Sequence, residues 1–205
     1  MRNDRIGIRV GLALRGSWLV LLVGSMCSIA FAEQRTFVAD PAQSNVEFTL
    51  SDVLHTVHGT FKLKSGTLSF DDQNGTASGE LVVDATSGDS GSKARDGKMK
   101  KEILETQKYP DIIFTPQHVK GTLPAEGKSQ VELNGIMTLH GQMHPMTLTL
   151  PLQINDGDAS ADVHFIVPYV KWGLKNPSTF ILRVSDKVEI VAHVTGHIST
   201  ASASR

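Results

Sequence analysis

The sequence predicts an all-β fold, an eight-stranded antiparallel β-barrel with one short helix at about residues 93–106. Three observations carry this expectation. Apolar residues recur at every second position in short segments, clusters of Gly, Asn, Asp and Pro separate those segments, and one stretch alone shows helical spacing.

The first 32 residues stand apart from that pattern. Arg2, Arg5, Arg9 and Arg15 precede an apolar stretch from Trp18 to Ile29, and Ala30-Phe31-Ala32 supplies a small-x-small site, so a secretory signal cleaved before Glu33 is expected. The uncharged run Gly16–Ala32 is shorter than the ~20 residues of a spanning helix, which predicts an exported, periplasmic chain that is not membrane-spanning. Cys27, the only cysteine, lies inside the signal, so no disulfide is expected after cleavage. Gly24-Ser25-Met26 before it lack the small residue that a lipoprotein signal places next to its cysteine.

The expected organisation is a signal at 1–32, one barrel domain at 33–198 and a disordered polar tail at 199–205. Of 20 basic and 21 acidic residues, the signal holds four arginines and one aspartate, which leaves 16 against 20 and a net charge of −4. That balance excludes nucleic acid as a natural partner, and no long basic run reads as an anionic-membrane patch. A homodimer is compatible with such a chain.

The strands follow in order. Val46, Phe48 and Leu50 alternate with Glu47 and Thr49; Phe61 and Leu63 alternate with Lys62 and Lys64 until Gly66, read as a bulge or kink, shifts the phase to Leu68 and Phe70. Asp72-Gln73-Asn74-Gly75 is a turn by composition, and Leu81 and Val83 open the next strand. Ile112 and Phe114 come next, then Val131, Leu133, Met137 and Leu139, then Met146, Leu148, Leu150 and Leu152, with Gly141-Gln142-Met143 read as the turn between these last two strands. After a turn at Asn155-Asp156-Gly157-Asp158, Val163, Phe165 and Val167 form a strand, and Val188, Ile190, Ala192 and Val194 close the series. From Lys93 to Thr106, Met99, Ile103 and Leu104 fall at helical spacing, with Ser92 placed to cap and Tyr109-Pro110 to stop the helix. Closure of eight such strands removes the exposed edges of an open sheet.

Several motifs invite chemistry. Gly88-Asp89-Ser90-Gly91 matches the segment around a serine-protease nucleophile, but only His55 and His58 lie upstream, so the segment reads as a surface loop in which Ser90→Ala shifts stability by no more than ~0.5 kcal/mol. Arg95 and Asp96 are read as a structural pair holding the helix against the barrel end, since arginine is a poor proton shuttle. Three histidine pairs, His55 with His58, His140 with His144 and His193 with His197, suggest a metal. At i, i+4 on a strand, however, two rings sit ~13 Å apart, and the parity of His193 and His197 puts them on the outer surface. No phosphate loop is present, and the residues imply no catalytic group, no metal site and no cofactor.

The chain resembles the YceI-like family, periplasmic lipocalin-like barrels associated with polyisoprenoid and other amphiphilic ligands. The resemblance runs through Ser44-Asn45-Val46-Glu47-Phe48, Val57-His58-Gly59-Thr60-Phe61, Lys93-Ala94-Arg95-Asp96 and Tyr109-Pro110-Asp111-Ile112-Ile113-Phe114. It continues through Leu133-Asn134-Gly135-Ile136-Met137-Thr138-Leu139-His140-Gly141, Trp172-Gly173-Leu174 and Val188-Glu189-Ile190. The chain departs in carrying Ser51 where many relatives have a histidine, followed by the compact Leu54-His55-Thr56-Val57-His58. The apolar stripe by itself fits a filled core as well as a cavity, and the resemblance implies the cavity. Strand parity then lines it with Phe48, Leu50, Phe61, Leu63, Phe114, Met137, Leu139 and Phe165, with Trp172 near one mouth. The expected function is a periplasmic carrier or sequestering protein for an isoprenoid quinone or other lipid. The alternatives are an enzyme or metal-binding protein acting on an apolar small molecule, or an outer-membrane barrel, to which the sparse aromatic residues and the cationic Lys62 and Lys64 opposite the apolar face are ill suited.

Overall fold

The computed structural model describes residues 34–201, apart from 53–54 and 180–182. The expected signal with Cys27 therefore lies outside the described residues. The elements are β1 (Gln34–Ala39), β2 (Asn45–Ser51), β3 (Thr56–Asp71), β4 (Ala77–Asp89), α1 (Lys93–Lys98), a π-helical turn (Met99–Ile103), β5 (Asp111–Lys120), β6 (Gly127–Leu139), β7 (Gln142–Asn155), β8 (Asp158–Val167) and β9 (Val188–Ala201).

Every pairing is antiparallel, and the ring closes because β3 pairs with β4 as well as with β1 and β2. The two shortest strands share one place in that ring. β2 lies between the first half of β3 (Val46↔Phe61) and the first half of β9 (Val46↔Ala192), and β1 between their second halves (Phe37↔Leu68, Phe37↔Ile198). Nine strands thus form the expected eight-position barrel, and β1 is the strand the alternation did not reveal.

Alternation sets which side chains turn inward. Val46 and Phe48 of β2, and Val131, Leu133, Met137 and Leu139 of β6, are buried, whereas Glu47, Lys62 and Glu132 between such positions face solvent. On β3 the phase slips where the register against β4 shifts between Leu63 and Ser65, so Leu63 and then Leu68 both point inward. The bulge falls just before Gly66, whose own role is close approach: a Cβ there would sit 2.3 Å from Leu81 Cδ2.

Three boundaries differ from expectation. The β6–β7 turn is His140-Gly141, both in the left-handed region (φ 52° and 72°), so Gln142 and Met143 already belong to β7. Two residues of positive φ match the strand twist of a tight hairpin, as Asp156-Gly157 do between β7 and β8. The helical segment ends at Ile103, before Tyr109-Pro110, because Glu105 turns left-handed (φ 47°); Ser92 occupies the N-cap without a side-chain cap bond. Finally, β9 runs on to Ala201, and Ser199 and Thr200 pair with Thr36 and Arg35, so the beginning of the expected tail is strand. The partner that orders it is the unforeseen β1.

Candidate functional site

The inward faces enclose a cavity of about 650 Å³. Its far end is closed by the connection between β5 and β6: Arg35 Nη1 donates to the Leu123 and Pro124 carbonyls at 3.1 and 2.8 Å, its Nε lies 2.8 Å from Asp72 Oδ2, and Leu123 faces the cavity. The wall is apolar. Phe48, Leu50, Phe61, Leu63, Phe114, Met137, Leu139 and Phe165 all line it, together with Leu133, Leu148 and Ile154, which parity places on the same face.

Trp172 does not line the cavity. It lies on the segment after β8 and stacks on His144, ring centroids 4.1 Å apart and planes 1° from parallel. Strand parity has no purchase on a connecting segment, so sequence could not place it. His144 Nε2 is buried without a hydrogen-bond partner, and burial pushes its pKa below the ordinary imidazole value.

Three segments ring the mouth. The β2–β3 connection contributes Asp52 and the start of β3 Val57, the helical segment and the residue after it Ala94, Arg95, Lys98, Met99, Ile103 and Leu104, and the stretch after β8 Tyr169, Leu174, Pro177 and Val184. Lys175 Nζ reaches Glu102 Oε2 at 3.4 Å, joining that stretch to the π-helical turn. Burial, with Asp186 adding to it, pushes the Tyr169 phenol up to about 12, and its hydroxyl donates to the Ser185 carbonyl at 2.6 Å.

Ser90 corrects the surface-loop reading. It is 8% exposed and faces the cavity rim. Its N–H donates to Asp96 Oδ1 at 2.8 Å and its hydroxyl donates to the same oxygen; Arg95 Nε donates to Ser90 Oγ at 2.8 Å and Nη2 to the Ser90 carbonyl at 2.7 Å. The Ser90 hydroxyl first, then its N–H and the charges of Lys100 and Arg95, hold the Asp96 carboxyl below the usual carboxylate range against its desolvation. Arg95 and Asp96 thus pin α1 to the residue following β4, the structural role expected of them. Local sequence could not reveal the burial of Ser90, because it comes from the helix folding back over the barrel rim.

His140 is half-buried against Tyr109, ring centroids 4.6 Å apart, with its Nε2 buried, while His55, His58, His193 and His197 face outward. His193 Nδ1 lies 2.7 Å from Asp162 Oδ1 and His197 Nδ1 3.5 Å from Asp158 Oδ1, His55 is exposed, and His58 Nδ1 is 3.1 Å from Thr49 Oγ1. Among the described residues, no three His, Cys, Asp or Glu side chains converge as metal ligands. Likewise, no helix among them is long and apolar enough to cross a membrane.

A closed antiparallel barrel around one apolar chamber, shut at one end and rimmed by polar side chains at the other, defines the class: a lipocalin-like, single-chamber β-barrel. The chain belongs to the YceI-like family, since the YceI-like domain model matches residues 37–196. It is 34% identical over 104 residues to Protein YceI of Escherichia coli O157:H7, covering 50% of this chain and 51% of that one. It is also 29% identical over 122 residues to UPF0312 protein VPA0850 of Vibrio parahaemolyticus, covering 57% and 62%. The chain thus spans about half the length of the curated relatives it matches. Among solved structures, Burkholderia cenocepacia BcnA aligns with a TM-score of 0.62 at 20% identity, over 77% of this chain and 98% of that one. A polyisoprenoid binding domain from Saccharophagus degradans, described as implicated in plant cell wall breakdown, aligns with a TM-score of 0.62 at 18% identity, over 80% and 98%. These likenesses establish the shared fold.

Proposed function

We propose that the protein is a periplasmic carrier or sequestering protein that holds a long apolar or amphiphilic molecule inside the barrel. The observation that carries this reading is the apolar cavity of about 650 Å³, within the ~300–1,000 Å³ range of small-molecule sites. Binding needs no chemistry: each methylene withdrawn from water contributes ~0.8 kcal/mol, so part of a prenyl or acyl tail suffices for useful affinity. The Saccharophagus degradans domain, described as polyisoprenoid binding, makes an isoprenoid the first class to test. Phe48, Leu50, Phe61, Leu63, Phe114, Met137, Leu139 and Phe165 are the proposed contacts, with no part assigned to Trp172.

Binding rather than catalysis is further supported by Ser90, whose hydroxyl is engaged by Asp96 and Arg95 and not by a histidine base. Export is the remaining part of the proposal, and N-terminal sequencing of periplasmic protein should read from Glu33; an intact Met1 would refute cleavage there.

The decisive test is Leu139→Trp. Leu139 lines the cavity at 7% exposure, so an indole there should fill the space, abolish displacement of a fluorescent prenyl or acyl probe and leave thermal stability nearly intact. If the interior has no room, the same change overpacks it, at ~1–3 kcal/mol, and wild type takes up no probe. That outcome would sink the carrier reading. Native mass spectrometry with lipid extraction of the purified protein would name the cargo.

A further inference from the structure

We propose that the cargo is an amphiphile with an oxyanionic head group, a carboxylate or phosphate monoester, seated between Lys98 and Arg95 at the mouth; this rests on the carrier reading above. Among the described residues, the polar groups bordering the cavity are few, and most are already engaged. The Tyr169 hydroxyl is held by the Ser185 carbonyl. Asp52 Oδ1 accepts the His55 N–H at 2.6 Å within its own turn, between β2 and β3.

The cations on α1 remain. Lys98 and Arg95 are three residues apart on one helix, hence neighbours on one face, and both border the cavity. Arg95 gives Nε and one Nη2 hydrogen to Ser90, which orients the guanidinium and leaves Nη1 uncommitted. Lys98 is exposed, and its ammonium has no hydrogen-bond or ion-pair partner among the described residues. Asp96, the nearest carboxylate in sequence, turns to Ser90 and does not border the cavity.

Two like charges at this spacing repel each other in the empty protein, and an anion between them relieves that repulsion. A guanidinium held by its neighbours offers directed N–H groups to an oxyanion, and the ammonium adds a point charge. Placed over an apolar chamber, the pair selects for a negative head and against a positive one, with the tail running down toward Leu133 and Ile154.

The test is displacement of an uncharged fluorescent acyl probe at low ionic strength by four competitors of equal chain length: hexadecanoate, hexadecyl phosphate, hexadecanol and hexadecyltrimethylammonium. At least one of the anions should bind roughly three- to tenfold more tightly than the alcohol, the cation should bind most weakly, and added salt should shrink the spread. Lys98→Ala should narrow the anion preference and Lys98→Glu should reverse it. Lys101→Glu, which makes the same charge change at an exposed residue away from the cavity, should leave the preference as in wild type. Equal binding of anions and alcohol, or identical behaviour of Lys98→Glu and Lys101→Glu, would overturn the head-group assignment while leaving the cavity reading intact. No displacement by any of the four would overturn both.

Discussion

At the closed end of the barrel, the Arg35 guanidinium is 13% exposed and engaged on both sides, by two carbonyls and by Asp72. At the open end, the Arg95 guanidinium is exposed and holds one serine, and Lys98 beside it has no hydrogen-bond or ion-pair partner among the described residues. The same residue type is therefore a fastener where it ties a connection to a carboxylate, and a candidate contact for cargo where a terminal nitrogen is left over. At the closed end the Asp72 charge offsets the burial of an Arg35 Nε that makes no hydrogen bond, whereas full pairing at the open end would leave no donor for a ligand.

The contrast can be broken most forcefully at the fastener. Arg35→Ala strands the Leu123 and Pro124 carbonyls and removes the cation beside Asp72, and is expected to destabilise by about 2–3 kcal/mol, lowering Tm by roughly 5–10 °C. Arg35→Lys should recover only part, because one ammonium cannot match a planar fork with three partners. A loss within ~0.5 kcal/mol for Arg35→Ala would mean that the closed end holds without it.

Ser90→Ala tests the hinge between the two uses. It removes the hydroxyl shared by Asp96 and Arg95 but keeps the backbone bonds, so about 1–2 kcal/mol should be lost in urea or thermal unfolding. An unchanged midpoint would restore the surface-loop reading.

The smallest expected effect is on acid stability. Burial lowers the His144 pKa below 6.5, so as pH falls below that value the unfolded chain takes up a proton that the native ring refuses, and native stability declines. His144→Phe keeps a ring against Trp172 and cannot titrate. It should flatten the decline between about pH 7 and pH 5 by less than ~1 kcal/mol, measured by denaturant midpoints across that range. An equal slope for both proteins would place the acid sensitivity elsewhere.

How much of this was legible in the sequence depended on the range of the contacts involved. Strand faces follow from period two, so the eight parity-assigned side chains turn toward one cavity, and Asp156-Gly157 announced its hairpin through turn chemistry. β1 escaped because its inward residues are only Phe37 and Ala39, and it is a strand only by virtue of β3 and β9 on its flanks. Arg35 gives no local hint of its carbonyl partners, some 88 residues away. Ser90, Lys98 and Trp172 all sit where the chain leaves the sheet, and there periodicity carries no information about direction.

The seam between β9 and the β1–β2 pair has a consequence in time. It joins the first described strand to the last, with Gln34 opposite Ala201 and Phe48 opposite Ile190, so these earliest strands lack one neighbour until the final segment has emerged. Pairings of such separation close late and slowly, and unpaired strand edges in the interval invite association. A barrel built this way cannot complete its ring until β9 is available to pair, which makes shelter for the open edges until then as much a condition of the fold as any contact inside it.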